Sequence, residues 1–121
     1  MKTVLIIEDN LEIRENTTEI LELEGFKVIS ADSGKEGIKA AVQYQPDIVL
    51  CDIMMPQMDG YVVLKDLKDN PLTTRIPFVY VTASTEKREV NQAMEMGANG
   101  YVRKPFDIKE LLDVIHKCLK V

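Results

Sequence analysis

Glu8, Asp9, Asp52, Thr82 and Lys104 are the residues of this 121-residue chain whose types and places could do chemistry together. Each closes a short apolar run. Val4-Leu5-Ile6-Ile7 ends at the acidic pair, Ile48-Val49-Leu50-Cys51 at Asp52, Phe78-Val79-Tyr80-Val81 at Thr82, and Gly100-Tyr101-Val102-Arg103 at Lys104. Three carboxylates gathered in one place repel one another. An oxygen-only set suits a hard cation such as Mg²⁺, kept partly hydrated to accept a phosphoryl group. The charges of three carboxylates, a divalent metal and the Lys104 ammonium sum to zero. Asp52 is then a plausible nucleophile, since carboxylates form aspartyl-phosphate intermediates. The metal and Lys104 would offset charge on the equatorial oxygens in the transition state. Singly, each residue has a plainer explanation: helix-start charges for Glu8-Asp9, a strand end for Asp52 and Thr82, a surface amine for Lys104. Five such groups on one edge are hard to obtain from structural needs alone.

That edge exists only if the apolar runs are parallel strands. Runs of strand and helix character alternate five times along the chain. The run before Asp52 is continuously apolar, as in a strand buried on both faces, and turn signals at Pro56 and Asp59-Gly60 follow it. The second strand is read at residues 26–29 and the fourth at residues 76–81, with Pro77 near its start where no ladder donor is needed. Asn10, Ser33 and Asp107 are read as helix caps, the last two in capping boxes with Glu36 and Glu110. Thr85 or Ser84 is expected to cap the fourth helix. Expected inner faces are Ile13, Thr17, Ile20 and Leu21; Ile38, Ala41 and Val42; Val63, Leu64 and Leu67; Val90, Ala93 and Met94; and Leu111, Ile115, Cys118 and Leu119. Gly25 and Gly97 are expected to stop the first and fourth helices. Strict alternation implies right-handed crossovers and an α/β fold, a parallel sheet with helices on both faces.

Length and composition fit one domain, residues 1–121, with an ordinary hydrophobic core; 45% of residues are hydrophobic and 29% charged, which excludes a disordered chain. A net charge of −5 argues against direct nucleic-acid binding. Lys2 leads into too short an apolar stretch for a signal peptide, and no run approaches membrane-spanning length. Cys51 and Cys118 read as small buried hydrophobes without a disulfide, so a cytoplasmic protein is expected.

The ordered set Glu8-Asp9, Asp52 with Met55-Pro56 and Met58-Asp59-Gly60 behind it, Thr82-Ala83, and Lys104-Pro105-Phe106 resembles the receiver domain of two-component response regulators. The resemblance covers essentially the whole chain. It implies a flavodoxin-like, three-layer α/β/α fold with strand order 2-1-3-4-5, like that of the chemotaxis regulators. It implies that Asp52 takes a phosphoryl group from the phosphohistidine of a sensor histidine kinase or phosphotransfer protein. The chain would then be a signalling phosphoacceptor rather than an enzyme, catalysing only its own phosphorylation and dephosphorylation. Asp9 and Asp52 would contact Mg²⁺ directly, Glu8 through water, and the Met54 carbonyl would complete the protein ligands. Thr82, Ala83 and Lys104 would receive the phosphoryl oxygens, the small Ala83 leaving room for the donor, and Lys104-Pro105 would be cis. Phosphorylation would draw in the Thr82 hydroxyl and turn Tyr101 inward. That would reshape the surface of the fourth helix, fifth strand and last helix for a downstream effector or a fused output domain.

Two departures from the family pattern stand out. Position 54 is Met where many members carry a polar residue facing the phosphoryl group. Gly97-Ala98-Asn99-Gly100 lacks the paired aspartates of the DNA-binding branch that dimerises through charged contacts. His116 is expected to face solvent, not to act as a phosphodonor. Other readings fare worse. A haloacid-dehalogenase-like phosphatase needs a second carboxylate where Met54 stands. A flavodoxin-type carrier would have its phosphate repelled by Glu8-Asp9. An interaction module using the fold without phosphorylation would have no need of the full residue set. Nothing follows Val121, so either a stand-alone receiver or a receiver cut from a longer chain is expected.

Overall fold

Strands and helices alternate throughout the computed structural model, which describes residues 1–55, 57–83 and 87–119. In chain order they are β1 (Thr3–Ile7), α1 (Leu11–Leu23), β2 (Lys27–Ala31), α2 (Gly34–Tyr44), β3 (Ile48–Asp52), α3 (Gly60–Asp69), β4 (Phe78–Thr82), α4 (Lys87–Glu95), β5 (Gly100–Arg103) and α5 (Ile108–Leu119). All neighbouring strands are parallel, in the order β2-β1-β3-β4-β5. This is the three-layer, flavodoxin-like arrangement that the alternation and the resemblance predict.

The strands form because their side chains have two apolar faces to fill. β3 and β4 are buried at every position. Successive side chains point to opposite faces, so Leu5, Ile7, Val49, Cys51, Phe78 and Tyr80 enter one layer, with Ala41, Val63, Leu64, Leu67 and Ala93 of α2, α3 and α4. Val4, Ile6, Ile48, Leu50 and Val79 enter the other, against Leu21 of α1 and Leu111 and Ile115 of α5. Full burial of each such aliphatic side chain stabilises by roughly 1.5–3 kcal/mol. Helices as short as the nine residues of α4 are not stable alone. Packing therefore holds these helices in place, more than their own propensity does.

The expected caps at Asn10, Ser33 and Asp107 form: their side chains accept from the backbone N–H of Ile13, Glu36 and Glu110. Gly25 and Gly97 have φ of 93° and 109°, a conformation glycine adopts without strain. The expected α4 cap at Ser84 or Thr85 lies outside the described residues.

Three expectations need correction. Phe26 is not in β2. Its N–H and that of Gly25 close α1 onto Leu21 and Glu22, the paired bonds of a Schellman motif, so the strand starts one residue later and runs on to Ala31. β4 begins at Phe78 rather than Ile76: Pro77 has no N–H and contributes only its carbonyl, to Val49. Met94 does not face inward; it is 42% exposed. The inner stripe of α4 runs along Val90 and Ala93 toward Met96, which packs on the core in its place.

Candidate functional site

The carboxyl ends of the strands bring the sequence's polar residues to one edge. Glu8 follows β1 directly, and its N–H donates to Ala31 O at 3.0 Å, so its backbone is still held by the sheet. The residue is only 4% exposed. One carboxylate oxygen, Oε2, accepts from the Asn10 N–H at 3.3 Å. The other, Oε1, lies 2.7 Å from the Lys104 ammonium. Asp9 beside it is exposed.

Asp52 is the last residue of β3 and 6% exposed. Its Oδ1 accepts from the Met54 N–H at 3.1 Å, and its Oδ2 lies 3.2 Å from Lys104 Nζ. Carboxylate oxygens of Glu8, Asp9 and Asp52 lie within 4.8 Å of one another. Lys104 is itself anchored, because its N–H donates to Thr82 O at 2.7 Å. The Lys104-Pro105 bond is cis, as the resemblance implied.

The electrostatics follow from this crowding. Burial pushes the Glu8 carboxyl up to about 7; the Lys104 hydrogen bond opposes that shift and neighbouring Asp52 adds to it. Burial pulls the Lys104 ammonium down, but the Glu8 bond and the charges of Asp52 and Glu8 outweigh it and leave it above its ordinary value. Glu8 and Asp52 share the Lys104 ammonium, and the Asp9 carboxylate stands within ligand range beside them, so carboxylates outnumber the ammonium that contacts them. A close oxygen-only set with excess negative charge fits a hard divalent cation.

Thr82 closes β4 and is fully buried. Ala83 is exposed and, with Pro105 and Phe106, faces Ile13, Thr17 and Ile20 of α1 across a groove of about 460 Å³ that Lys104 also lines. Met54 is 71% exposed. Tyr101 is 40% exposed, on the strand beside Tyr80, with ring centroids 5.9 Å apart. His116 is exposed, its ring against Phe26. Glu8, Asp52 and Lys104 are thus in direct contact and Asp9 stands within ligand range. Tyr101 belongs to the neighbouring surface.

Two further residues shape the site without having been singled out for it. A Cβ on Gly60 would stand 2.7 Å from Asp52 O and 2.7 Å from Ile53 Cα; only glycine lets α3 start this close beneath Asp52. Arg14 on α1 reaches back to donate to Glu8 O at 2.8 Å. The Asp59-Gly60 pair was legible as a turn and helix start, but no local pattern marks either residue's tertiary contact.

Residues 4–116 match the family model described as the response regulator receiver domain. Over 119 residues the chain is 39% identical to response regulator SaeR of Staphylococcus aureus, a match covering 98% of this chain and 51% of that protein. The chain therefore spans about half the length of the curated relatives it matches. Among solved structures, a putative response regulator from Chloroflexus aurantiacus is 32% identical with a TM-score of 0.94, covering 99% of this chain and 98% of that one. The chemotaxis protein CheY4 of Vibrio cholerae is 26% identical with a TM-score of 0.93, covering 98% of each chain.

Proposed function

The chain belongs to the response regulator receiver domain family, and from that premise we propose that Asp52 is the acceptor of a phosphoryl group delivered by the phosphohistidine of a partner kinase or phosphotransfer protein. The observation that carries the reading is the place of Asp52: the end of a wholly buried strand, one oxygen toward Lys104, two further carboxylates within ligand range. In the transfer, an Asp52 oxygen attacks phosphorus as the P–N bond breaks. The bonding pair stays on the imidazole nitrogen, which takes a proton from solvent. Lys104 and Thr82 receive the phosphoryl oxygens, and the exposed Ala83 leaves the approach clear.

Glu8, Asp9 and Asp52, with the Met54 carbonyl, would hold Mg²⁺. Bound there, it supplies positive charge against the anionic oxygens of the donor. The protein's own part is to orient the nucleophile: the Met54 N–H fixes Oδ1. The half-buried Lys104 keeps a cation at the site. Donor access fits the apolar groove between α1 and Pro105-Phe106.

Phosphorylation converts one negative charge into roughly two and adds acceptor oxygens. Thr82 moves toward them and Tyr101 turns inward, changing the α4–β5–α5 surface that an effector or fused output domain reads. The chain's role is that of a signalling phosphoacceptor acting on itself alone. A cytoplasmic location goes with this reading; no helix among the described residues is long and apolar enough to cross a membrane.

The test is intact-mass measurement after incubation with acetyl phosphate and Mg²⁺. One phosphoryl group is expected on the wild type and none on Asp52→Asn. Incorporation that survives the substitution places the acceptor elsewhere.

A further inference from the structure

The acidic pair sits where the chain leaves the sheet. The Glu8 N–H makes a sheet bond to Ala31 O at 3.0 Å, and α1 begins at Leu11. The Glu8 carboxylate is held by Lys104 and by the Asn10 N–H, whereas that of Asp9 must be aimed by the intervening turn. Asp9 is exposed and makes none of the described hydrogen bonds or ion pairs, so its direction is set by its backbone. We infer that Arg14 is the positioning residue for this pair, its guanidinium tying the turn back onto α1.

One side-chain bond carries the inference, set beside a backbone bond that any residue at position 14 would make. The Arg14 guanidinium donates through Nη1 to Glu8 O at 2.8 Å, before Asp9. Its backbone N–H donates to Asn10 O at 2.9 Å, after Asp9. The Asn10 side chain caps the same helix through Ile13, and its N–H meets Glu8 Oε2. Glu8 and Asn10 are thus tied to one turn of α1, and Asp9 is carried between them. The Thr18 hydroxyl donates to Arg14 O at 2.7 Å, adding a bond one turn further along α1.

The residue type suits the task. A charge-assisted bond is stronger than a neutral one. The planar guanidinium reaches back to a carbonyl six residues earlier and keeps a fixed fork where an ammonium is a mobile point charge. Arg14 also has an opposing effect: a cation near the acidic set disfavours a bound metal. Removing it therefore gives two opposite expectations. If charge dominates, Mg²⁺ binds more tightly; if positioning dominates, it binds more weakly. The Nη1 bond to Glu8 O, which only the side chain makes, decides for positioning.

The inference rests on the reading of Glu8, Asp9 and Asp52 as a Mg²⁺ site. Its test is calorimetric titration of the whole chain with Mg²⁺, without phosphodonor, at a temperature where each variant is folded. Arg14→Met is expected to weaken binding about tenfold, as loss of a residue that orients metal ligands typically does. Arg14→Lys keeps the charge but not the fork, and is expected to weaken binding about threefold. Amide shifts of Glu8, Asp9 and Asn10 should move in the metal-free variants. A role in stability alone would lower the unfolding midpoint and leave affinity unchanged. An Arg14→Met protein that binds within about twofold of wild type, or more tightly, overturns the inference. So does a lysine variant indistinguishable from wild type, which also settles the matter should the methionine variant fail to fold. Wild type that binds no Mg²⁺ overturns the site reading and this inference together, whereas normal wild-type binding beside an unaffected variant overturns this inference alone.

Discussion

The Lys104 ammonium lies 2.7 Å from Glu8 Oε1, closer than its 3.2 Å to Asp52 Oδ2. In this conformation the lysine is shared between the two carboxylates and held more tightly by Glu8. Replacing it with methionine leaves two buried carboxylates facing one another. Removing one partner of a buried ion pair costs about 3 kcal/mol. Urea denaturation of metal-free Lys104→Met should show that loss, and Mg²⁺ should restore part of it. An unchanged midpoint would mean that the lysine adds nothing to the folded state.

Asp9 offers the converse. It is exposed and lacks the contacts that hold Glu8 and Asp52, so Asp9→Ala should change stability by no more than about 0.5 kcal/mol. It removes a proposed direct ligand, so Mg²⁺ affinity should fall about tenfold or more. Titration that finds the affinity intact would take Asp9 out of the metal set.

Thr82→Ala separates chemistry from signalling. It keeps the three carboxylates and Lys104, so metal binding and phosphoryl acceptance should persist. Coupling to the surface should be lost; such coupling is typically about 1–3 kcal/mol. Amide NMR with and without beryllofluoride reads it. If shifts around Tyr101 are as large in the variant as in wild type, the Thr82 route is wrong while Asp52 could remain the acceptor.

Tyr80 carries the one buried side-chain oxygen among the described residues that has no hydrogen-bond partner. An unpaired buried hydroxyl costs about 1–3 kcal/mol, so Tyr80→Phe should leave the protein as stable as wild type or up to about 1 kcal/mol more stable. Burial pushes the Tyr80 phenol up to about 12 from its ordinary 10. Between those values the folded state binds the proton that the unfolded state has released. Stability therefore falls as pH rises from 10 to 12. Thermal unfolding across that window should fall more steeply in wild type than in Tyr80→Phe. Parallel curves would assign the alkaline loss to other groups.

Much of this was legible where one physical requirement dominates. The runs ending at Asp9 and Asp52 could be read because strands buried on both faces tolerate only apolar residues, so a carboxylate after them marks the strand end. Asn10, Ser33 and Asp107 could be read because a cap is a bond within three residues. Phe26 was misplaced because it has the apolar character of a strand, while its N–H is needed to close α1. Met94 was misplaced because a nine-residue helix buries one narrow stripe, and helical periodicity does not say whether position 94 or 96 lies on it. Gly60 and Arg14 act through contacts with β3 and the β1–α1 turn that no local pattern encodes.

The alternation of side chains across the sheet divides the molecule in a way that bears on its evolution as a signalling part. Val4, Ile6 and Glu8 share a parity, as do Ile48, Leu50 and Asp52. Glu8 and Asp52 line, with Ile6 and Leu50, the same small cavity beneath α1 and Leu111. Thr82 shares its parity with Phe78 and Tyr80, which belong to the α3 and α4 layer. The proposed acceptor and the proposed sensor thus stand on opposite sides of one sheet and come together only at its edge. Substitutions beneath α4 can retune how firmly the proposed output surface is held, while the α1–α5 layer that seats the carboxylates keeps its packing. On the proposed reading, phosphoryl acceptance and its coupling to the surface can accordingly vary as separate traits of one small domain.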